Sequence, residues 1–201
     1  MQSIHRVAGA LLLAACSAPA FGWWQHPRSD AYRSRWQAAR AVEAPAGAQL
    51  PLRRLTPGAA DPRVTQANLR RTICRPGGYT RSVRPPERYT ERLKRRLIAA
   101  YGYADRRLGH YELDHLIPLG VGGAPRDPRN LWPQPHRVVG GWGSYAKDRL
   151  ELRLHDLVCA GRLPLAQAQR DIAFDWIAAY RRYLGPRPDN TPMRWMRREG
   201  R

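Results

Sequence analysis

"ELDHLIPLGVGG", Glu112 to Gly123, sets an acid–histidine pair inside an apolar run and follows it with Pro118 and a glycine pair. Alternating character from Tyr111 to Leu119 predicts a strand, and the Gly/Pro/Asp-rich "GVGGAPRDPR" predicts a loop to a second short strand at Asn130 to Trp132. Asp114 and His115 stand where leucine or valine would pack better. Histidine exchanges a proton near neutral pH, so His115 is the candidate general base. A carboxylate is a hard oxygen donor, so Asp114 is the candidate ligand for Mg²⁺ or Mn²⁺, with Zn²⁺ or Ni²⁺ as further options. Strand alternation puts neighbours on opposite faces, so for both to serve one site the strand must twist or kink at its end, or the ion must sit at the strand's edge. A hydrogen-bonded surface pair with no chemistry is the competing reading.

Working outward, helices are expected on both sides. Thr90 reads as the N-cap of a helix to about Tyr101, with Leu93, Leu97, Ile98 and Tyr101 on one face and Arg92, Arg95 and Arg96 elsewhere. Ser144 to about Ala160 carries a Leu150, Leu154, Leu157, Val158 stripe and stops at Gly161. A last helix is expected over about Leu165 to Leu184. The fold class is α+β: a hairpin plus helix, mostly helical outside the hairpin.

The chain is 201 residues, with 35 Lys and Arg against 16 Asp and Glu, a formal charge of +19. That excess points to a polyanion, nucleic acid before anionic lipid, with DNA favoured over RNA. Arg92, Arg95, Arg96, Lys147 and Arg149 are the candidate phosphate contacts; the first three are alternatively a solvated helix face, and Lys147 and Arg149 alternatively ordinary helix-face pairs with Asp148 and Glu151. No protein partner is predicted.

Residues 1–22 read as a targeting segment with a basic residue, a short apolar run and small residues. "LAAC" ending at Cys16 resembles a lipobox, which would leave Cys16 lipidated and the chain attached to a membrane. "APA", Ala18 to Ala20, is the competing signal-peptidase site. Both imply export, to the periplasm or cell envelope as a lipoprotein, or alternatively secretion. In that oxidising setting Cys74 and Cys159 read as one disulfide, two separate buried thiols being the alternative. Residues 23–63 read as a Pro/Ala/Arg-rich linker, 64–185 as the folded domain and 186–201 as a basic tail.

The ordered set "DHLIPLGVGGAPRDPRNL", with "VRPP", "NLWPQP", "KDRLE", "VCAG" and "AQRDIAFDW" around it, resembles the HNH or ββα-metal endonucleases over roughly Thr72 to Tyr183. The resemblance implies a hairpin and helix pinching one divalent ion, and hydrolysis of phosphodiester bonds with low sequence specificity. It implies that Asn130 braces the loop and His115. Members of that family usually supply a His or Asn ligand from the start of the helix, where this chain has Gly143, Ser144, Tyr145 and Ala146. Asp148 could substitute, or His136 could reach in from the preceding loop. That gap keeps a second reading open, a non-catalytic nucleic-acid- or envelope-binding module with the same fold.

Overall fold

A computed structural model of the chain describes residues 48–193. The targeting segment, Cys16, most of the expected linker and the last eight residues lie outside them. Among the described residues no helix is long and apolar enough to cross a membrane.

Two short antiparallel strands, β1 (Tyr111–His115) and β2 (Leu131–Pro135), form the sheet, with Tyr111 opposite Pro135, Asp114 opposite Trp132 and His115 opposite Leu131. β1 is shorter than its apolar run suggests. The Leu116 N–H still donates to the Asn130 backbone carbonyl, but the Ile117 N–H donates to the Asn130 side-chain Oδ1, and Pro118 has no N–H to offer. β2 is longer than expected and includes Pro133 and Pro135, which a two-stranded sheet tolerates because each strand keeps a free edge.

Among the described residues five α-helices accompany the hairpin: α1 (Tyr79–Val83), α2 (Glu87–Ala100), α3 (Ser144–Cys159), α4 (Leu165–Phe174) and α5 (Trp176–Tyr183). α2 starts a turn before Thr90, because Pro86 at the N-cap presets the backbone where no N–H is required. Thr90 lies inside the helix, its hydroxyl donating to the Glu87 carbonyl at 2.8 Å. The single last helix expected from the pattern is two. Asp175 adopts an extended conformation between them, and its carboxylate accepts from the N–H groups of Ile177 and Ala178 at 2.9 and 3.0 Å. An N-cap aspartate placed within a helical pattern outweighs the periodicity around it.

The core has two parts. Leu150, Leu154 and Val158 of α3 pack against Ala168 and Ile172 of α4 and Trp176 of α5. Behind the hairpin, Ile98, Tyr101, Tyr103, Tyr111, Leu116 and Trp132 form an aromatic-rich cluster, with the Tyr103 and Tyr111 rings stacked 5.3 Å apart.

The folded unit begins well before Val64, a correction to the expected linker boundary. Thr56 is fully buried, donating to the Leu131 carbonyl and sharing a 2.6 Å hydrogen bond with the Tyr101 hydroxyl. The Asp61 N–H donates to the Gly122 carbonyl, and Trp176 Nε1 donates to the Gln49 carbonyl. This segment docks mostly through backbone groups, which leave no hydrophobic period to read. The other boundary also moves: Asn190 donates to the His136 carbonyl and accepts from the Ala146 N–H, capping the first turn of α3 from the region read as tail.

Cys74 and Cys159 form a disulfide across 85 residues of sequence, fastening the turn before α1 to the end of α3. Closing so long a loop restricts the unfolded chain, so Cys159→Ala is expected to lower stability by roughly 2–5 kcal/mol. Urea unfolding of the variant beside oxidised wild type measures this; a loss below about 1 kcal/mol would show that the bond adds little to the fold.

Candidate functional site at the end of the hairpin

Gly122 and Gly123 have separate reasons to be glycine. Gly122 sits at φ 77°, in the left-handed region. Gly123 is a matter of space, since a Cβ there would lie 1.7 Å from the Ile117 carbonyl oxygen. The close approach lets Asn130 reach across the loop mouth. Its Oδ1 accepts from the N–H groups of Ile117 and Ala59, and its Nδ2 donates to the carbonyls of Ile117 and Ala124. Asn130 is fully buried with every amide position used.

The loop so closed presents the Pro125 carbonyl to His115. His115 Nε2 lies 3.0 Å from that oxygen. A carbonyl can only accept, so Nε2 carries the proton and Nδ1 keeps its lone pair. Nδ1 makes no hydrogen bond among the described residues. Burial shifts the ring toward its neutral form; the Pro125 carbonyl and Asp114 oppose this and the charges of Arg84 and Lys147 reinforce it, with a net downward shift. The ring is a neutral imidazole with one open acceptor.

Asp114 is committed on both oxygens. Oδ1 accepts from the His115 N–H at 2.8 Å, and Oδ2 lies 2.7 Å from the Lys147 ammonium, within ion-pair distance though off the angle of a good hydrogen bond. Lys147 reaches from α3, is 0 % exposed, and donates to the His115 carbonyl at 2.8 Å and to Glu151 Oε1 at 2.6 Å. Burial opposes its charge, but Asp114 and Glu151 outweigh that and hold the ammonium protonated. A side chain so enclosed is no phosphate contact, which corrects the expectation for Lys147. Arg149 is likewise engaged, donating to the Asp189 and Thr191 carbonyls and pairing with the Asp189 carboxylate.

Two further carboxylates gather around this pair. Glu112 shares the face of β1 with Asp114, two residues away. Asp148 follows Lys147 on α3, and its Oδ2 is enclosed without a hydrogen-bond partner. Burial first, and then mutual repulsion among Glu112, Asp114, Asp148 and Glu151, raises the pKa values of Glu112 and Asp148. Glu112 was missed by the sequence reading, although the period-two alternation from Asp114 points to it.

His136 is placed differently from the expectation. It follows Pro135, the partner of Tyr111, so the register sets it roughly 13 Å of strand rise from the level of Asp114. Its Nδ1 is hydrogen-bonded to Ser144 Oγ at 2.7 Å and its ring stacks on Tyr145. Burial, with Lys94, Arg137 and His110 adding, pushes its pKa down to about 4. Among the described residues no three His, Cys, Asp or Glu side chains are grouped so as to hold a metal ion. The donors are nonetheless of the kind a hard cation takes: Glu112 and Asp148 carry uncommitted oxygens beside Asp114, and their repulsion is what a divalent charge relieves.

A cleft of about 430 Å³ opens between α2 and β1, and His115, Glu112 and His136 line it with Arg84, Glu91 and Lys94. Arg92, Arg95 and Arg96 are exposed and do not line it; the α2 residues that do are Glu87, Thr90, Glu91 and Lys94, one helical stripe.

No protein-family model, no curated protein and no solved structure matches the chain.

Asn130→Ala removes four hydrogen bonds at once and leaves enclosed backbone groups without partners. The expected cost is on the order of 3 kcal/mol in urea or thermal unfolding. A loss under about 1 kcal/mol would mean that the loop closes without this amide.

Proposed function

We propose that the chain is a metal-dependent endonuclease of the ββα-metal, or HNH, type, hydrolysing phosphodiester bonds of DNA, with RNA as a second substrate and little sequence preference. One observation carries the reading: His115, held by Pro125 through Nε2 with Nδ1 making no hydrogen bond among the described residues, lines a cleft together with Glu112. A general base needs a neutral ring, a defined tautomer and access to the substrate; burial and Pro125 supply the first two, and the cleft beside this buried ring is the proposed route for the third.

Glu112, Asp114 and Asp148 are the residues that would hold the ion. Bound there, Mg²⁺ or Mn²⁺ would supply Lewis-acid stabilisation of charge on the phosphate. The chain's own residues do the rest. His115 Nδ1 takes a proton from water, the oxygen so freed forms a bond to phosphorus, and the P–O bond on the far side breaks. Lys147 holds the Asp114 carboxylate and the His115 carbonyl in register, and Asn130 keeps the loop that presents Pro125. Arg92, Arg95 and Arg96, exposed along α2, give the polyanion a basic approach outside the cleft. The disulfide and the leader-like residues 1–22 support an exported protein, with Cys16 as its lipid anchor if the lipobox is cleaved.

Lys147 also favours the second reading. An ammonium already 2.7 Å from Asp114 Oδ2 supplies the positive charge that an ion would otherwise bring. A domain balanced in this way could bind nucleic acid without cutting it.

Full-length protein, oxidised, incubated with supercoiled plasmid and with RNA separates the two. The nuclease reading expects cleavage in Mg²⁺ or Mn²⁺, none in EDTA, and a loss of at least about 100-fold in His115→Ala, the scale of a general base. Binding without cleavage under any divalent ion would sink it in favour of the binding module.

A further inference from the structure

The segment "VRPP", Val83 to Pro86, joins the end of α1 to the start of α2. Arg84 stands between α1 and α2 and lines the cleft that holds His115. Its backbone is fixed on both sides. The Arg84 N–H donates to the Thr80 carbonyl at 3.0 Å, and the residue is extended at φ −60°, ψ 131°, as a following proline requires. Pro85 is buried and Pro86 caps α2, so the chain cannot swing at this point.

The guanidinium itself is uncommitted. Arg84 is exposed, and among the described residues its side chain makes no hydrogen bond or ion pair. Lys94, the other cation lining the cleft, is spent on Glu91 at 2.9 Å. The charge of Arg84 nevertheless reaches the site, favouring ionised Glu112 and neutral His115. A planar guanidinium on a rigid backbone, held open at a cleft wall, suits two parallel hydrogen bonds to an oxyanion.

We propose that Arg84 binds a non-bridging phosphate oxygen pair of the nucleic-acid backbone and seats that phosphate in the cleft against His115. The choice of phosphate over other oxyanions rests on the nuclease reading. Arg84 is on this view a substrate-binding residue, distinct from the exposed arginines of α2 because it lines the cleft and they do not.

The test is binding, measured apart from cleavage. Full-length wild type, Arg84→Ala, Arg84→Lys and Arg81→Ala are titrated against a fluorescein-labelled 12-mer oligodeoxynucleotide in EDTA, with anisotropy as the readout. Arg81 is exposed on α1 and outside the cleft, so its loss removes the same charge without the same contact. Arg84→Ala is expected to weaken binding about tenfold, Arg81→Ala less than about twofold, and Arg84→Lys to recover part of the loss. Equal effects of Arg84→Ala and Arg81→Ala, or no binding by wild type, would overturn the proposal. Cleavage of the same oligonucleotide in Mg²⁺ keeps the two claims apart. If the Arg84 effect on binding holds and wild type never cuts, the nuclease reading fails and the phosphate site stands. If wild type cuts and Arg84→Ala leaves KM unchanged, the site fails and the nuclease stands.

Discussion

The arrangement depends on one buried ammonium. Lys147 is fully enclosed, and its three oxygen neighbours come from the end of β1 twice, as the Asp114 carboxylate and the His115 carbonyl, and from the next turn of α3 as Glu151. An isolated charge in that position would cost several kcal/mol, so the fold holds only while all three contacts persist. Their persistence docks α3 against the last two residues of β1. The strand stops at His115, with the Asp114 side chain and the His115 carbonyl both drawn to Lys147, and His115 lines the cleft while Asp114 does not.

The ring is then positioned by the loop. Gly123 lets the chain pass close to the Ile117 carbonyl, Asn130 ties Ile117 to Ala124, and Pro125 next in line supplies the oxygen that holds Nε2. Each step relies on the one before it. Four carboxylates, Glu112, Asp114, Asp148 and Glu151, lie around Lys147, with Arg84 and Lys94 also acting on Glu112, and the enclosed Asp148 Oδ2 has no hydrogen-bond partner. Burial and mutual repulsion raise the pKa values of Glu112, Asp148 and Glu151, so the cluster holds protons that a more exposed set of carboxylates would give up.

The hairpin, the helix starting at Ser144 and the pairing of Cys74 with Cys159 were legible because each has a local or compositional signal: apolar runs broken by turn residues, a leucine stripe, and two cysteines in a chain with a leader-like start. Asn130 was legible as a brace only through the resemblance, since its four partners are separated from it by 6 to 71 positions. Residues 48–63 were not legible, because they are held by backbone hydrogen bonds that carry no side-chain period. Lys147 was misread for a related reason: a lysine on an amphipathic helix looks solvated until the strand that covers it is placed. Asn190, capping α3 from 44 residues away, gives no sequence signal at all.

The central claim is that His115 is held as a neutral base with Nδ1 open, and ring ¹⁵N chemical shifts report this directly. In a long-range ¹H–¹⁵N correlation spectrum at pH 7, with the His115 signals assigned by their loss in His115→Gln, the account predicts a neutral ring protonated on Nε2 and bare on Nδ1. A ring protonated on Nδ1, or an imidazolium at that pH, would contradict it.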